Sequence, residues 1–293
     1  MAETKELTWQ CDGKTISLGA DYDGRGPRVL LLPALSSIST RREMAPLQAL
    51  LAAHYETIAV DWPGFGDRAR PPQDWQPRHY SDFLNTLIGE ALPPLHAVIA
   101  AGHGASYALA CAAAAPPSIS RLVLLSPTWR GPLPTMMNGP RPWFDRVCRA
   151  VDHPLFGPLL YKLNVSRPVI RFMAAGHVYV ERAFIEGERL TEKLAVTRVQ
   201  NARFASVRFV AGKLDAVASR GEFLDLARGA GVPILMIYGA DTPPRSRAEM
   251  EALAEIAAVQ SVRLPRGKLS VYEEFPHEVA AAIEPFLSSL TRP

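Results

Sequence analysis

Apolar runs separated by polar loops dominate the pattern of hydrophobic and polar positions along the chain. Two short runs at 5–10 and 15–20, joined by a turn at Asp12-Gly13, predict a pair of strands at the start. The later runs are apolar throughout, which is typical of strands buried on both faces of a parallel sheet. They cover residues 28–33, 56–61, 96–101, 121–126, 232–238 and 259–264. The pattern therefore predicts an eight-stranded sheet.

Helical periodicity fills most of the intervals between these strands, at 43–54, 80–92, 105–114, 247–257 and 276–290. Strands that alternate with helices predict a mostly parallel, doubly wound α/β sheet with helices on both faces.

The interval 128–217 breaks this alternation. It contains no buried-strand run, and its short amphipathic stretches are rich in Arg, aromatic residues and Pro. We expect a helical cap insertion over the carboxyl ends of the strands, where open α/β sheets bind ligands. The core would then comprise 1–127 and 218–293. A separate small domain is the alternative, but the strand at 232–238 must rejoin the first half of the sheet.

The composition is that of an ordinary folded protein. Of 293 residues, 48% are hydrophobic and 21% are charged, so the chain can bury a large core without disulfides. The net charge of +3 arises from interspersed signs and lacks the concentrated basic stripe of a nucleic-acid-binding protein. We therefore expect no nucleic-acid partner, and nothing in the pattern predicts an oligomeric state.

Cysteine usage is typical of a reducing compartment. Cys11, Cys111 and Cys148 are odd in number and widely spaced. The sequence has no phosphate-binding loop, dinucleotide fingerprint or cluster of metal ligands, so we expect neither a cofactor nor a metal. The first ten residues have no apolar signal segment, and no stretch approaches the roughly 18 apolar residues of a membrane span. We expect a cytoplasmic protein without a transmembrane segment.

Several motifs follow the predicted strands in a fixed order. They are PAL at 33–35, DWPGFG at 61–66 with a later Pro71, GHGAS at 102–106, YGAD at 238–241 and EFP at 274–276. This order resembles the α/β-hydrolase superfamily, with its oxyanion loop, D-x-P-G-x-G loop, G-x-S-x-G nucleophile elbow and G-x-x-D and E-x-P loops. The resemblance implies an α/β-hydrolase fold. The runs LPALSSISTRREM, YGADTPPRSRAEM and EEFP also resemble a branch common in photosynthetic organisms, which identifies no reaction.

The resemblance assigns unsuitable residues to the three positions of the Ser-Asp-His triad. The nucleophile position of the elbow falls on Gly104, which has no side chain to attack a carbonyl. The acid position falls on Thr242 and the base position on Leu269, and neither side chain can serve as a general base. The resemblance therefore predicts a degenerate triad, with the amides of Leu35 and Ala105 still in oxyanion-hole-like positions.

An elbow shifted by two residues gives an alternative triad. The shifted motif is GASYA at 104–108, and it makes Ser106 the nucleophile, with Asp241 as acid and His277 as base. The shift requires two extra residues in the strand before the turn. His277 also follows a proline in the first turn of the last predicted helix, beyond the loop that normally holds the base. We keep this triad as the alternative.

Other side chains could line a pocket between core and cap. The candidates are His103, His177 and Tyr272, and Glu273 could face the pocket as an acid. For each of them, packing or a solvated loop is the competing interpretation. The arginines of the cap could bind an anionic ligand, although their wide spacing also suits a solvated helix face. They are Arg141, Arg146, Arg149, Arg167 and Arg171.

Three functions fit the sequence. The first is a non-hydrolytic protein that binds a small apolar ligand or a partner protein. The second is an enzyme with non-standard residues, either an esterase-like hydrolase through Ser106 or a cofactor-independent lyase, isomerase or oxygenase. The third is a scaffolding or assembly role, which predicts an exposed apolar patch and a filled pocket.

Overall fold

An eight-stranded sheet forms the centre of the computed structural model, which describes residues 2–92, 94–114 and 119–289. The strands are β1 (Glu3–Cys11), β2 (Lys14–Asp23), β3 (Arg28–Leu32), β4 (Glu56–Val60), β5 (Ala97–Ala101), β6 (Leu122–Leu125), β7 (Ile234–Gly239) and β8 (Val259–Leu264). Their order is β1-β2-β4-β3-β5-β6-β7-β8. The pairs β1–β2 and β2–β4 are antiparallel and the remaining pairs are parallel. The predicted mostly parallel, eight-stranded sheet is confirmed.

Helices connect these strands on both faces of the sheet. They are α1 (Ala45–Leu51), α2 (Pro77–Thr86), α3 (Gly104–Ala114), α4 (Pro132–Met136), α5 (Phe144–Asp152), α6 (Gly157–Asn164), α7 (Arg167–His177), α8 (Gly187–Thr197), α9 (Ala202–Val210), α10 (Arg220–Gly229), α11 (Pro244–Ala254), α12 (Val271–Glu274) and α13 (Pro276–Ser288). Several helices begin at a proline, because the first helical position needs no N–H donor. All five predicted helices are present with shifted ends, although residue 290 lies outside the described residues. Helices α10 and α12 were not predicted.

Alternate residues of each central strand pack into separate apolar cores, one on either face of the sheet. On β5, Val98 and Ala100 join the cluster that includes α2, α3 and α10. Ala97 and Ile99 join the opposite cluster, with Leu47 of α1 and other residues of α1 and α13. Because successive strand residues point to opposite faces, a strand apolar at every position is buried on both. This explains why the continuous apolar runs predicted the strands.

The described residues between β6 and β7 contain only helices, α4 to α10. Helices α5 to α9 enclose an apolar cluster of their own, which includes Phe144, Tyr161, Ile170 and Leu190. Hydrogen bonds join this segment to the loops that follow β3 and β4 and to α12, which follows β8. Examples are Ser37 Oγ to Ser206 Oγ at 2.5 Å, Asn201 Nδ2 to Arg70 O at 2.7 Å, and Tyr179 Oη to Glu273 Oε2 at 2.6 Å. The helical segment therefore lies over the carboxyl ends of these parallel strands.

A buried ion pair fixes the DWPGFG loop after β4. Arg41 Nη1 lies 2.5 Å from Asp61 Oδ2, and the Arg41 amide donates to Asp61 Oδ1 at 2.7 Å. Trp62 Nε1 donates to Pro33 O at 2.7 Å, which ties this loop to the end of β3. Gly66, at φ +81°, lies against the Asp61 carboxylate where a side chain would not fit. The motif residues therefore hold the strand-end loops together.

No helix in the described ranges combines the length and apolar character that a membrane crossing requires.

Candidate functional site

The turn after β5 shows which residue occupies the strained position of the elbow. Strand β5 ends at Ala101, Gly102 has φ +51°, and α3 begins at Gly104. In a nucleophile elbow the reactive residue sits at the sharp, strained turn between strand and helix. That residue is Gly102, so the predicted assignment to Gly104 is shifted by two positions. The turn residue is still a glycine.

The surroundings of both glycines agree with this register. A Cβ at Gly102 would lie 2.9 Å from Ala34 Cβ, in the loop after β3. A Cβ at Gly104 would lie 3.0 Å from Trp62 Cζ2 and 3.3 Å from Pro33 O. Gly104 is thus a spacing residue that lets α3 approach the end of β3, as the small residues flanking an elbow do.

The corrected register also moves the amide that would follow a nucleophile. This amide is now that of His103, not of Ala105. The Ala105 amide donates to Gly102 O at 3.2 Å, so it closes the helical turn instead of facing a ligand. Leu35 is buried in the loop after β3, and its oxyanion-hole-like role stays a prediction.

The alternative triad finds no support in this geometry. Ser106 lies fully buried in the first turns of α3, and its hydroxyl donates to His103 O at 2.8 Å. His277 is exposed in the first turn of α13. Asp241 is also exposed, and its Oδ2 accepts from the Gly267 amide at 3.0 Å. Within the described ranges no hydrogen bond joins these three side chains.

The predicted acid and base positions offer no proton acceptor. Thr242 is buried after β7, and its hydroxyl is without a hydrogen-bond partner among the described residues. Leu269 packs against the apolar cluster on the α3 side of the sheet. Its amide donates to His177 O at 3.4 Å, which ties the loop after β8 to the end of α7.

Helix α9 covers the elbow. The ring of Phe209 packs edge-on against His103, with centroids 5.6 Å apart, and against Phe65 at 6.4 Å. His103 Nε2 lies 3.0 Å from Leu214 O and 3.3 Å from Asp215 Oδ1, so the imidazole is held beneath the helical segment. These contacts favour the packing interpretation of His103.

His177 lies at the end of α7, away from the elbow turn. It is half-buried, and its Nδ1 is 3.3 Å from Met173 O, one turn back along the same helix. Its backbone, not its ring, bonds to the loop after β8. The contacts given by the structure therefore provide no ligand-binding role for this side chain.

A buried network of ionisable side chains joins the helical segment to the core near Tyr272. Lys193 Nζ of α8 lies 2.6 Å from Glu43 Oε1 and 3.2 Å from Glu273 Oε2. Tyr272 donates to Glu43 Oε2 at 3.1 Å, and Tyr179 donates to Glu273 Oε2 at 2.6 Å. Each of the five side chains therefore has a charged or hydroxyl partner within the network.

Burial changes the proton affinities of this network. It raises the pKa of Glu43 to about 7, because desolvation disfavours the carboxylate more than Lys193 favours it. Burial alone would lower the pKa of Lys193, but the charges of Glu273 and Glu43 outweigh it and raise that pKa well above its ordinary value. Near neutral pH the network therefore holds a lysine cation and a glutamate poised between its two protonation states.

The network borders a cavity of about 270 Å³ between the helical segment and the core. Glu43, Lys193 and Glu273 line it, together with Arg42 and Arg189. Glu273, which the sequence suggested as an acid facing the pocket, lines this cavity, whereas the predicted pocket residue Tyr272 is buried and reaches it only through its hydrogen bond to Glu43. Glu43 and Lys193 were missed, because each lies on a helical stretch where a charged residue is ordinary and the two are 150 positions apart.

One group of three potential metal ligands occurs among the described residues, formed by Cys11, Asp12 and His79. The Gln76 amide donates to His79 Nδ1 at 3.1 Å, so a neutral imidazole carries its proton on Nε2. Nε2 lies 3.1 Å from Asp12 Oδ2, a distance at which its N–H donates a hydrogen bond to the carboxylate. Both ring nitrogens are therefore used to start α2 and bind it to the β1–β2 turn.

Comparisons with known proteins agree with this architecture. A hydrolase from Pseudomonas aeruginosa has 21% sequence identity and a TM-score of 0.71, covering 97% of this chain and 98% of its own. A thermophilic esterase from Thermogutta terrifontis has 21% identity and a TM-score of 0.69, covering 98% of both chains. The epoxide hydrolase CorEH has 18% identity and a TM-score of 0.74, covering 98% of this chain and 99% of its own.

At such identities these likenesses show the fold alone. A comparison with curated protein sequences finds no match. The family profile described as "Alpha/beta hydrolase family" matches residues 29–282, which is most of the chain. The protein therefore belongs to the alpha/beta hydrolase family.

Proposed function

We propose that this protein is a non-hydrolytic family member that works by binding rather than by acyl transfer. The observation that carries the proposal is Gly102, the positive-φ residue of the turn between β5 and α3. A covalent acyl intermediate needs an oxygen or sulfur nucleophile at this point, and glycine supplies none. Thr242 and Leu269, at the acid and base positions, add no proton acceptor.

We further propose that residues 128–217 act as a cap that closes the site above this turn. In support of this, Phe209 of α9 packs against His103, the residue after Gly102, and Ser206 of α9 bonds Ser37 in the loop after β3. A pocket filled by the protein's own side chains is what a surface-binding role predicts. The similar epoxide hydrolase and esterase would suggest hydrolysis. Similarity of fold does not supply a nucleophile, however, and Gly102 has no side chain that could act as one.

The apolar surface of the cap supports binding to a partner. The large apolar side chains that are most exposed in the described chain lie on this segment, with Leu155 at 77% and Phe172 at 76% exposure. Apolar side chains at such exposure mark interaction sites when they lie close together. The partner would therefore contact the cap rather than enter the core.

A fluorophosphonate probe tests the absence of an activated serine. We expect no covalent label on the wild-type protein and no hydrolysis of p-nitrophenyl butyrate above the buffer rate, with an active serine esterase as positive control. The matched variant is Ser106→Ala. Label on the wild type that disappears in Ser106→Ala would establish the alternative triad and overturn the proposal. So would ordinary ester turnover by the wild type.

One specific observation favours a second candidate, an enzyme that abstracts a proton without a cofactor. Glu43 has a pKa of about 7 and lines a cavity beside the Lys193 ammonium, which could stabilise a developing oxyanion. Exchange of the α-hydrogens of acetone, pyruvate and acetoacetate in D₂O, followed by NMR, tests this reaction class. Exchange that is lost in Glu43→Gln and kept in the exposed control Glu90→Gln would support the second candidate. If the exchange rate does not exceed that of buffer alone, the binding role remains the proposed function.

A further inference from the structure

We propose that the cap binds the surface of a membrane containing anionic lipids, through an apolar face on α6 and α7 flanked by basic residues. The inference rests on the proposed binding role and names the partner. We call this face the cap apolar surface. It comprises Leu155, Phe156, Leu159, Leu160, Leu163, Val169 and Phe172, all exposed.

Five of these exposed side chains lie on the two consecutive helices α6 and α7, and Leu155 and Phe156 lie in the turn that leads into α6. Tyr161 of α6 and Ile170 and Ala174 of α7 are buried in one apolar cluster inside the cap. The exposed leucines and phenylalanines lie on the other sides of the same helices. Their outward position is that of an amphipathic element lying in the plane of a bilayer interface, and the ring of His153 stacks on Phe156 at the edge of this face.

Basic residues border the cap apolar surface. The 100° spacing of a helix places Lys162 next to Leu159 and Leu163 on α6, and Arg167 and Arg171 on one flank of α7. Lys162 and Arg167 are exposed and form no ion pair within the described ranges. Arg171 pairs with Glu186.

The local charge favours an anionic surface over a second copy of this chain. Between residues 130 and 177 the sequence has seven Lys or Arg and two Asp or Glu, a net charge of +5 against +3 for the whole chain. A symmetric dimer through this face would bring like charges together, because the same patch faces itself across a two-fold axis. Anionic lipid headgroups attract the basic border, and the acyl chains beneath the headgroups can bury the apolar side chains.

Vesicle flotation tests the proposal on the full chain. We expect the wild type to float with vesicles of phosphatidylcholine and phosphatidylglycerol, and not with phosphatidylcholine alone. Leu155→Gln combined with Phe172→Gln should weaken binding at least tenfold. The matched control is Met136→Gln combined with Met137→Gln, which removes exposed apolar side chains outside this face and should bind like the wild type. All substituted residues are exposed, and melting curves verify folding.

Charge variants provide the second arm. Lys162→Gln with Arg167→Gln should weaken binding to anionic vesicles by about 25-fold, since each basic residue at a membrane surface contributes about 1 kcal/mol, or about fivefold. Arg25→Gln with Arg263→Gln removes the same charge from exposed positions of the core and should have little effect.

Three outcomes would overturn the proposal. They are no flotation of the wild type, equal flotation of the Leu155/Phe172 variant, or a dimer in sedimentation that this variant abolishes. Tight binding of an acidic protein without vesicles would assign the face to a protein partner instead. If flotation fails while the fluorophosphonate probe leaves the protein unlabelled, only the membrane inference is lost and the non-hydrolytic role stands.

Discussion

At the scale of single residues, Gly102 combines a left-handed backbone with close packing against the loop after β3. A side chain there would be strained by φ +51° and would contact Ala34, with a Cβ–Cβ distance of 2.9 Å. Under the proposed non-hydrolytic role, the glycine leaves this turn without a nucleophile and without the strain that a serine would have to bear. Under the same proposal, a serine at this position would still have Thr242 and Leu269 at the acid and base positions.

We predict that Gly102→Ser destabilises the protein by about 1–3 kcal/mol and produces no esterase activity. Denaturant unfolding and p-nitrophenyl ester assays measure the two parts. Gly176→Ala is the control, since this α7 glycine has open space around it and an alanine should leave stability unchanged or raise it by about 0.5–1 kcal/mol. Ester turnover by Gly102→Ser would show that other groups complete a triad.

Glu43 makes stability depend on pH in a defined direction. Its folded pKa of about 7 lies above its ordinary value of 4.5, so the folded state holds the proton more tightly. The resulting stabilisation is complete below about pH 4.5 and is lost as the pH rises through 7. A shift of this size corresponds to at most about 3 kcal/mol, and charge sharing with Lys193 reduces it.

We therefore predict that the melting temperature falls between pH 5 and pH 8, and that Glu43→Gln flattens this dependence. Glutamine keeps the size of the side chain and cannot titrate. The exposed Glu90→Gln variant should keep the wild-type slope. Identical slopes in all three proteins would assign the pH dependence to other groups.

At the scale of elements, the sequence pattern predicted the structure correctly where burial alone determines the type of element. The central strands were predictable because both of their faces are buried, which leaves a continuous apolar run. Helices α10 and α12 were missed: α12 has only four residues, and α10 has ten residues between the cap and β7. Local periodicity does not report where a short helix begins.

The elbow register was missed for a different reason. The elbow motif has a small residue two positions before the nucleophile and another two positions after it. Gly102 fits this motif with Ala100 and Gly104, and Gly104 fits it with Gly102 and Ser106. Only the end of β5 at Ala101 and the positive φ of Gly102 distinguish them. The length of a strand depends on its pairing with neighbours, here β3 and β6, and such pairing is not local information.

The attachment of α9 gives an element-scale prediction. Arg208 is buried and bonds both carboxylate oxygens of Asp152 in α5, at 2.9 and 2.7 Å, and Asp74 of the core at 2.8 Å. Because Asp74 is 71% and Asp152 29% exposed, water screens both carboxylates, so removing the charge of Arg208 costs less than the about 3–5 kcal/mol of a fully buried pair. We predict that Arg208→Met increases hydrogen exchange in α5 and α9 and leaves β5 to β7 protected.

The exposed pair of Arg220 and Glu249 supplies the control for this experiment. Arg220 Nε lies 2.7 Å from Glu249 Oε2, and its side chain is half exposed. Because surface ion pairs contribute about 0–1 kcal/mol, Arg220→Met should leave exchange in α5 and α9 unchanged. If Arg208→Met exposed the central strands as well, the cap and the core would unfold as one unit.

At the scale of the whole molecule, the charge is unevenly distributed. The interval 130–177 has a net charge of +5, and the remaining 25 basic and 27 acidic residues leave −2 elsewhere. A protein with this asymmetry should orient its cap toward any negatively charged surface, because local potential rather than net charge governs such contacts. This orientation can be measured without lipid.

We predict that two variants of equal net charge leave a sulfonate cation exchanger at different salt concentrations. Lys162→Gln with Arg167→Gln and Arg25→Gln with Arg263→Gln both lower the formal net charge from +3 to +1. If the cap faces the resin, the variant lacking Lys162 and Arg167 has fewer contacts with the resin, and a lower salt concentration screens them, so it elutes early. The variant lacking Arg25 and Arg263 keeps these contacts and elutes close to the wild type. Equal elution would mean that the resin senses only the net charge. The basic border of the cap would then be no stronger an electrostatic site than the rest of the surface.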